Sequence, residues 1–188
     1  MLQIVGVLIS AIVMTAAITR MKKTVENGLF TKALWLIFAC YIAGYLYFTL
    51  FSREIGVGTQ LELVPFQSYH RLFEKPIRGT TSVSGFASIV LKGLMPIEGS
   101  ILNILLYYPL GYLIPILFPK LKPKHVILIG CLCSIATEAT QYLLKMGWCE
   151  TDDVIHNTLG TAIGVWVWLW QSKRLNAQRS ANPGKGET

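Results

Sequence analysis

The chain has 188 residues, 53% of them hydrophobic and only 14% charged, with a mean hydropathy of +0.50. A soluble domain carries about 25% charged residues, so this composition excludes an ordinary soluble globular protein and points to a membrane protein. The net charge of +7 does not indicate a nucleic-acid partner, because the basic residues punctuate the ends of apolar runs instead of gathering on one polar face.

Five segments are long and apolar enough to cross a hydrocarbon core of ~30 Å as helices of about 20 residues. In chain order the sequence predicts them near Leu2–Thr19, Ala33–Phe51, Ser100–Phe118, Val126–Lys145 and Asp153–Gln171. The first is predicted to be a retained span and not a signal peptide, since its basic cluster "RMKK" follows the apolar run instead of preceding it. Between the second and third spans lies a long segment, Ser52–Gly99. Within it, Glu62–Phe73 mixes aromatic and charged residues as a surface-lying stretch would, and Gly85–Ile97 is apolar but too short to span. The latter suits a short interfacial or re-entrant helix. The expected fold class is therefore all-α: a polytopic membrane domain over 1–172, followed by a polar tail over 173–188.

Orientation follows from the basic residues. Arg20, Lys22, Lys23 and Lys32, then Lys120, Lys122 and Lys124, then Lys173, Arg174, Arg179 and Lys185 make up eleven of the seventeen basic residues. Alternating topology puts all three groups on one side, and the positive-inside rule makes that side the cytoplasm. The expected location is the plasma membrane, with the N-terminus outside, the C-terminus inside, and Ser52–Gly99 and Met146–Asp152 facing outward. Of the four cysteines, only Cys149 is expected to face solvent, so no disulfide framework is predicted.

The residues that cost free energy in lipid carry the functional signal. Glu138 sits in the fourth predicted span, ~10 Å from its outer end, where an ionisable group normally faces a bundle interior or a wet cavity. Gln141 and Tyr142 follow it at i+3 and i+4. Asn103 lies near the outer end of the third span. In the fifth, Asp153, Asn157, Gly160 and Gly164 fall on one helical face, polar outside and small further in. Asn103, Glu138, Gln141, Asp152, Asp153 and Asn157 are thus the candidate lining of one polar, outward-opening pocket.

Plainer roles compete at each position. Gly160 and Gly164 fit a helix-packing face, and Asn103 and Asn157 fit interhelical hydrogen bonding. Asp152 and Asp153 suit the positive end of a helix dipole, with Asp152 as an N-cap. His156 could pair with Asp152, and Trp166, Trp168 and Trp170 fit interfacial anchors. No P-loop, zinc spacing or nucleophile–base pair is present, and no metal or cofactor is predicted.

Four blocks in this order, "LVPF" at Leu63–Phe66, "NILLYYPLGYLIP" at Asn103–Pro115, "SIATEATQY" at Ser134–Tyr142 and "DDVIHNTLGTAIG" at Asp152–Gly164, resemble the VanZ-like family. That family consists of small polytopic membrane proteins named for a teicoplanin-resistance protein. The resemblance brings forward Asn103, Pro109, Gly111, Glu138, Gln141, Asp152, Asp153, Asn157 and Gly160 as motif positions, with Pro109, Gly111, Gly160 and Gly164 expected to be structural. Many members carry an arginine shortly before the Asp-Asp pair, where this chain has Lys145 and Met146. The resemblance implies a link to glycopeptide resistance or to the cell envelope. A pocket at outer-leaflet depth suits an amphiphile, such as a glycopeptide antibiotic or a cell-wall lipid precursor. The alternative is an intramembrane hydrolase or transferase on a lipid-linked substrate, with Glu138 as general acid/base and Asp153 as its partner. The sequence leaves open whether any reaction is catalysed.

Overall fold

A computed structural model describes residues 14–16, 18, 27–67, 69 and 83–181. The first predicted span lies mostly outside these residues, as do parts of Glu62–Phe73 and the end of the tail. Helix α1 runs Asn27–Leu46 and widens into a π-helical turn, Tyr47–Phe51. Strand β1 follows at Gly58–Glu62, then helix α2 at Val83–Leu117, helix α3 at Pro123–Leu143, strand β2 at Met146–Glu150 and helix α4 at Thr151–Ala181.

Among the described residues, three stretches are long and apolar enough to cross a membrane: Gly28–Phe51, Ile97–Leu117 and Pro123–Leu143. They coincide with the second, third and fourth predicted spans. Helix α4 is 31 residues long but is not among them. Its Asp152, His156, Asn157 and Thr161 are buried, and such polar residues lower its hydropathy.

The structure differs from the sequence-based expectation in two places. Gly85–Ile97 is not a separate helix, because α2 continues through Pro96 as one helix of 35 residues. At ~52 Å this helix is longer than a hydrocarbon core is thick. The fold is not purely helical either, since β1 and β2 form a parallel pair in the register Gly58↔Met146 to Glu62↔Glu150. Helix α4 also runs ten residues beyond Gln171, into the polar tail.

Local chemistry explains the boundaries. Pro123 begins α3, where its missing N–H costs no hydrogen bond. At the other end of α3, Lys145 adopts φ +54°, the left-handed turn that closes a helix, and Gly147 at φ +106° then starts the strand. Because α1 and α3 finish at the same end of the bundle, both strands leave in the same direction and pair in parallel. This is the strand end of the bundle.

The tightest packing joins α2 to α4. A Cβ on Gly111 would sit 1.9 Å from the Thr161 carbonyl oxygen, one on Gly160 2.2 Å from that of Ile104, and one on Gly164 2.2 Å from that of Tyr108. The two backbones approach so closely that no side chain fits between them, the packing mode of membrane helices. Around this seam Tyr107, Leu110, Ile114, Val126 and Val165 form one core, and Ile18, Leu34, Tyr112 and Leu113 another. Large apolar side chains such as Leu36, Phe48, Leu132 and Trp166 are exposed on the outside, as a bilayer would require. The Arg174 guanidinium lies 3.9 Å from the Trp170 ring centroid, while Trp168 packs inward.

Candidate functional site

Helices α3 and α4 run antiparallel, and residues four apart on each meet in register. Asn157 donates through Nδ2 to Ser134 Oγ at 2.8 Å, both side chains fully buried. One turn nearer the strand end, Asp153 and Glu138 stand as the next rung, close enough to interact electrostatically. Asn103 on α2 donates to Asp153 Oδ1 at 2.7 Å. Glu138 Oε2 accepts the Glu150 backbone N–H at 3.2 Å, and the Cys149 thiol lies beside the same carboxyl. Three of the predicted pocket residues, Asn103, Glu138 and Asp153, therefore converge.

The basic partner is Arg53, which sequence reasoning missed. It lies just beyond the π-helical turn and is within electrostatic reach of both Glu138 and Asp153. Its only sequence signal was its place in "FSREIG", at the end of a predicted span.

The other predicted lining residues have different partners. Gln141 is buried and donates through Nε2 to the Thr49 carbonyl at 2.9 Å, in the π-helical turn. Asp152 points to the other side of the α4 start, since successive helical residues are ~100° apart. It accepts the Phe66 N–H at 2.5 Å, and neighbouring Thr151 donates to the Leu63 carbonyl at 3.2 Å. Asp152 is the second residue of α4, so it is not the N-cap, although both aspartates do fall in the acidic first turn. The "LVPF" block is thereby tied across the N-terminus of α4, with Phe66 in the left-handed region at φ +62°. His156 Nε2 meets the Tyr69 hydroxyl at 3.3 Å, and that hydroxyl also bonds Ser100 Oγ.

Beneath the carboxyl rung runs a buried hydroxyl chain. The Tyr107 and Tyr45 hydroxyls are 2.7 Å apart, Tyr45 meets Thr137 Oγ1 at 2.5 Å, and Thr137 donates to the Cys133 carbonyl at 3.0 Å. A carbonyl only accepts, so the donors run from Tyr107 through Tyr45 to Thr137. This network holds α1, α2 and α3 in register under the site. Among the described residues, three buried side-chain polar atoms lack a partner: Gln141 Oε1, Asn157 Oδ1 and His156 Nδ1. Leaving such an atom unpaired costs about 1–3 kcal/mol.

On β2, outside the helices, burial pushes the Cys149 thiol up to about 11, and the neighbouring Glu138 carboxyl adds to the shift. Cys149 is half-buried and none of the four cysteines is in a disulfide. Among the described residues, no three His, Cys, Asp or Glu side chains are grouped to hold a metal ion. A separate shallow pocket lies at the opposite end of the bundle, lined by Ile18, Tyr112, Trp168 and Gln171 among others. It shares no residue with the carboxyl cluster.

The sequence model of a family described as VanZ/LLP1 matches residues 34–172, most of the chain. The chain belongs to the VanZ/LLP1 family. No curated protein and no solved structure matches it. The match runs from within α1 to the Trp-rich part of α4, and so includes Arg53, Asn103, Glu138 and Asp153. In this VanZ/LLP1 chain the four quoted blocks are spatially coupled. The first is tied to the fourth through Phe66 and Asp152, the second to the fourth through Asn103 and Asp153, and the third to the fourth through Ser134 and Asn157.

Proposed function

We propose that this VanZ/LLP1 protein binds the polar end of an amphiphilic or lipid-linked ligand in a pocket at the strand end of its bundle. In this proposal the chain crosses the plasma membrane five times, with its N-terminus outside and its C-terminus in the cytoplasm. The strand end then opens outward at the depth of the outer leaflet. Candidate ligands are a glycopeptide antibiotic or a cell-wall lipid precursor, and the consequence is altered glycopeptide susceptibility. The observation that carries the reading is the convergence of Asn103, Glu138, Asp153 and Arg53 at one end of an otherwise apolar bundle. Charged groups so placed are costly in a membrane and are typically kept for a site.

Two measurements test it. A fluorescent protein that matures only in the cytoplasm, fused after Thr188, should fluoresce; darkness with full accumulation would reverse the orientation. A deletion strain should change its inhibitory concentration of teicoplanin, with the change restored by the wild-type chain and not by Glu138→Gln or Asp153→Asn. Both variants keep side-chain shape, and an asparagine at 153 can still accept from Asn103, so both should accumulate normally. An inhibitory concentration that moves with neither deletion nor overproduction removes the resistance role.

A further inference from the structure

Building on the amphiphile pocket proposed above, we infer that the polar group it takes is a primary ammonium and not a phosphate. The charge of the site and its wholly unpartnered atoms decide between them. Asn103 already spends a donor on Asp153, and the Glu150 N–H is spent on Glu138. Of the buried polar atoms with no partner at all, the two on the faces of Glu138 and Asp153 are oxygens. Gln141 and Asn157 are 2% and 4% exposed, and Gln141 Oε1 and Asn157 Oδ1 have no partner. The Gln141 orientation is fixed, because its Nε2 is bonded to the Thr49 carbonyl, which can only accept. Asn157 is bonded to Ser134 through Nδ2, and its oxygen has no partner.

These two amides stand one helical turn to either side of the carboxyl rung, Gln141 three residues beyond Glu138 and Asn157 four beyond Asp153. Two carboxyl groups and two carbonyl oxygens are therefore opposed by a single guanidinium, that of Arg53, which is exposed. A phosphate would add acceptors and negative charge where both are already in excess. An ammonium brings three donors and one positive charge, and offers no acceptor to compete. The apolar outer surface beside the site, with Phe51 and Leu143 among its exposed side chains, suits the tail of the same molecule.

The test uses the full-length protein in phosphatidylcholine nanodiscs and three radiolabelled probes with one tail: dodecylammonium, dodecyl phosphate and dodecanol. Empty discs correct for partitioning. Dodecylammonium should bind saturably, and the other two should not. Glu138→Gln should weaken it roughly tenfold or more, the scale of one charge-assisted hydrogen bond. Arg53→Gln removes an exposed competing cation and should tighten it about two- to fivefold. Saturable binding of dodecyl phosphate alone, lost in Arg53→Gln, would leave the amphiphile pocket standing and overturn the ammonium assignment. Saturation by none of the probes would overturn both. Should Glu138→Gln fail to fold, Arg53→Gln decides, and ammonium affinity that is unchanged or weaker in it refutes the inference.

Discussion

Asn157 on α4 donates to Ser134 on α3 at 2.8 Å, and this bond sets the register in which Asp153 meets Glu138 one turn away. The rung is buried, so its removal cannot be compensated by solvent. Ser134→Ala leaves the Asn157 amide without either partner and should destabilise the protein by about 1–3 kcal/mol. The matching Asn157→Leu removes the polar atoms altogether. A double-mutant cycle on thermal unfolding in detergent should therefore give a coupling of about 1 kcal/mol, with the double variant less damaged than the two single losses added. Strict additivity would mean the bond does not hold the helices in register.

The close approach of α2 and α4 makes a sharper prediction. Gly111→Ala places a methyl 1.9 Å from the Thr161 carbonyl oxygen, a backbone atom that cannot rotate away. The helices must separate, at a cost of about 3 kcal/mol. Gly44→Ala meets nothing within 4 Å and is the control. Membrane accumulation of Gly111→Ala should fall severalfold while Gly44→Ala matches wild type.

Much of this was legible before the structure, and the reason is the bilayer. Glu138, Asn103 and Asp153 stood out because lipid makes polar groups expensive, and Gly160 and Gly164 because small residues recur at helical spacing. The strands were not legible: "GTQLE" and "MGWCE" are five residues each, without clean alternation, and owe their conformation to each other. Arg53 was missed because its proximity to Glu138 is purely tertiary. Asp152 was assigned to the pocket beside Asp153, yet neighbouring helical residues diverge by ~100°, so only one of the two can share the Asn157 face.

Lys145 offers a gain instead of a loss. It holds φ +54° at the end of α3, where a Cβ is disfavoured, and its side chain is exposed. Lys145→Gly relieves that strain without removing a buried contact and should stabilise the fold by about 1 kcal/mol. A raised midpoint of thermal unfolding checks it, and a lowered one would mean that the Lys145 side chain is itself holding the turn.

Cys149 reports on the site through its reactivity. Its thiol is pushed up to about 11 by burial first and by Glu138 second, so only ~0.1% is thiolate at pH 8. Maleimide labelling at this position should be slow at neutral pH and rise about tenfold per pH unit until it levels near pH 11. The linkage has a definite sign. A thiol whose pKa is raised in the folded state binds its proton more tightly there than when unfolded. Its contribution is therefore fully present below the ordinary thiol value of 9, and stability falls as pH rises from 9 through 11. Glu138→Gln removes the second cause and should lower the thiol value and speed labelling at fixed pH, with Cys40, Cys131 and Cys133 replaced by serine so that one thiol is read. Labelling that is fast at pH 7 in the wild-type background, or indifferent to Glu138→Gln, would mean that Cys149 does not share the carboxyl's environment.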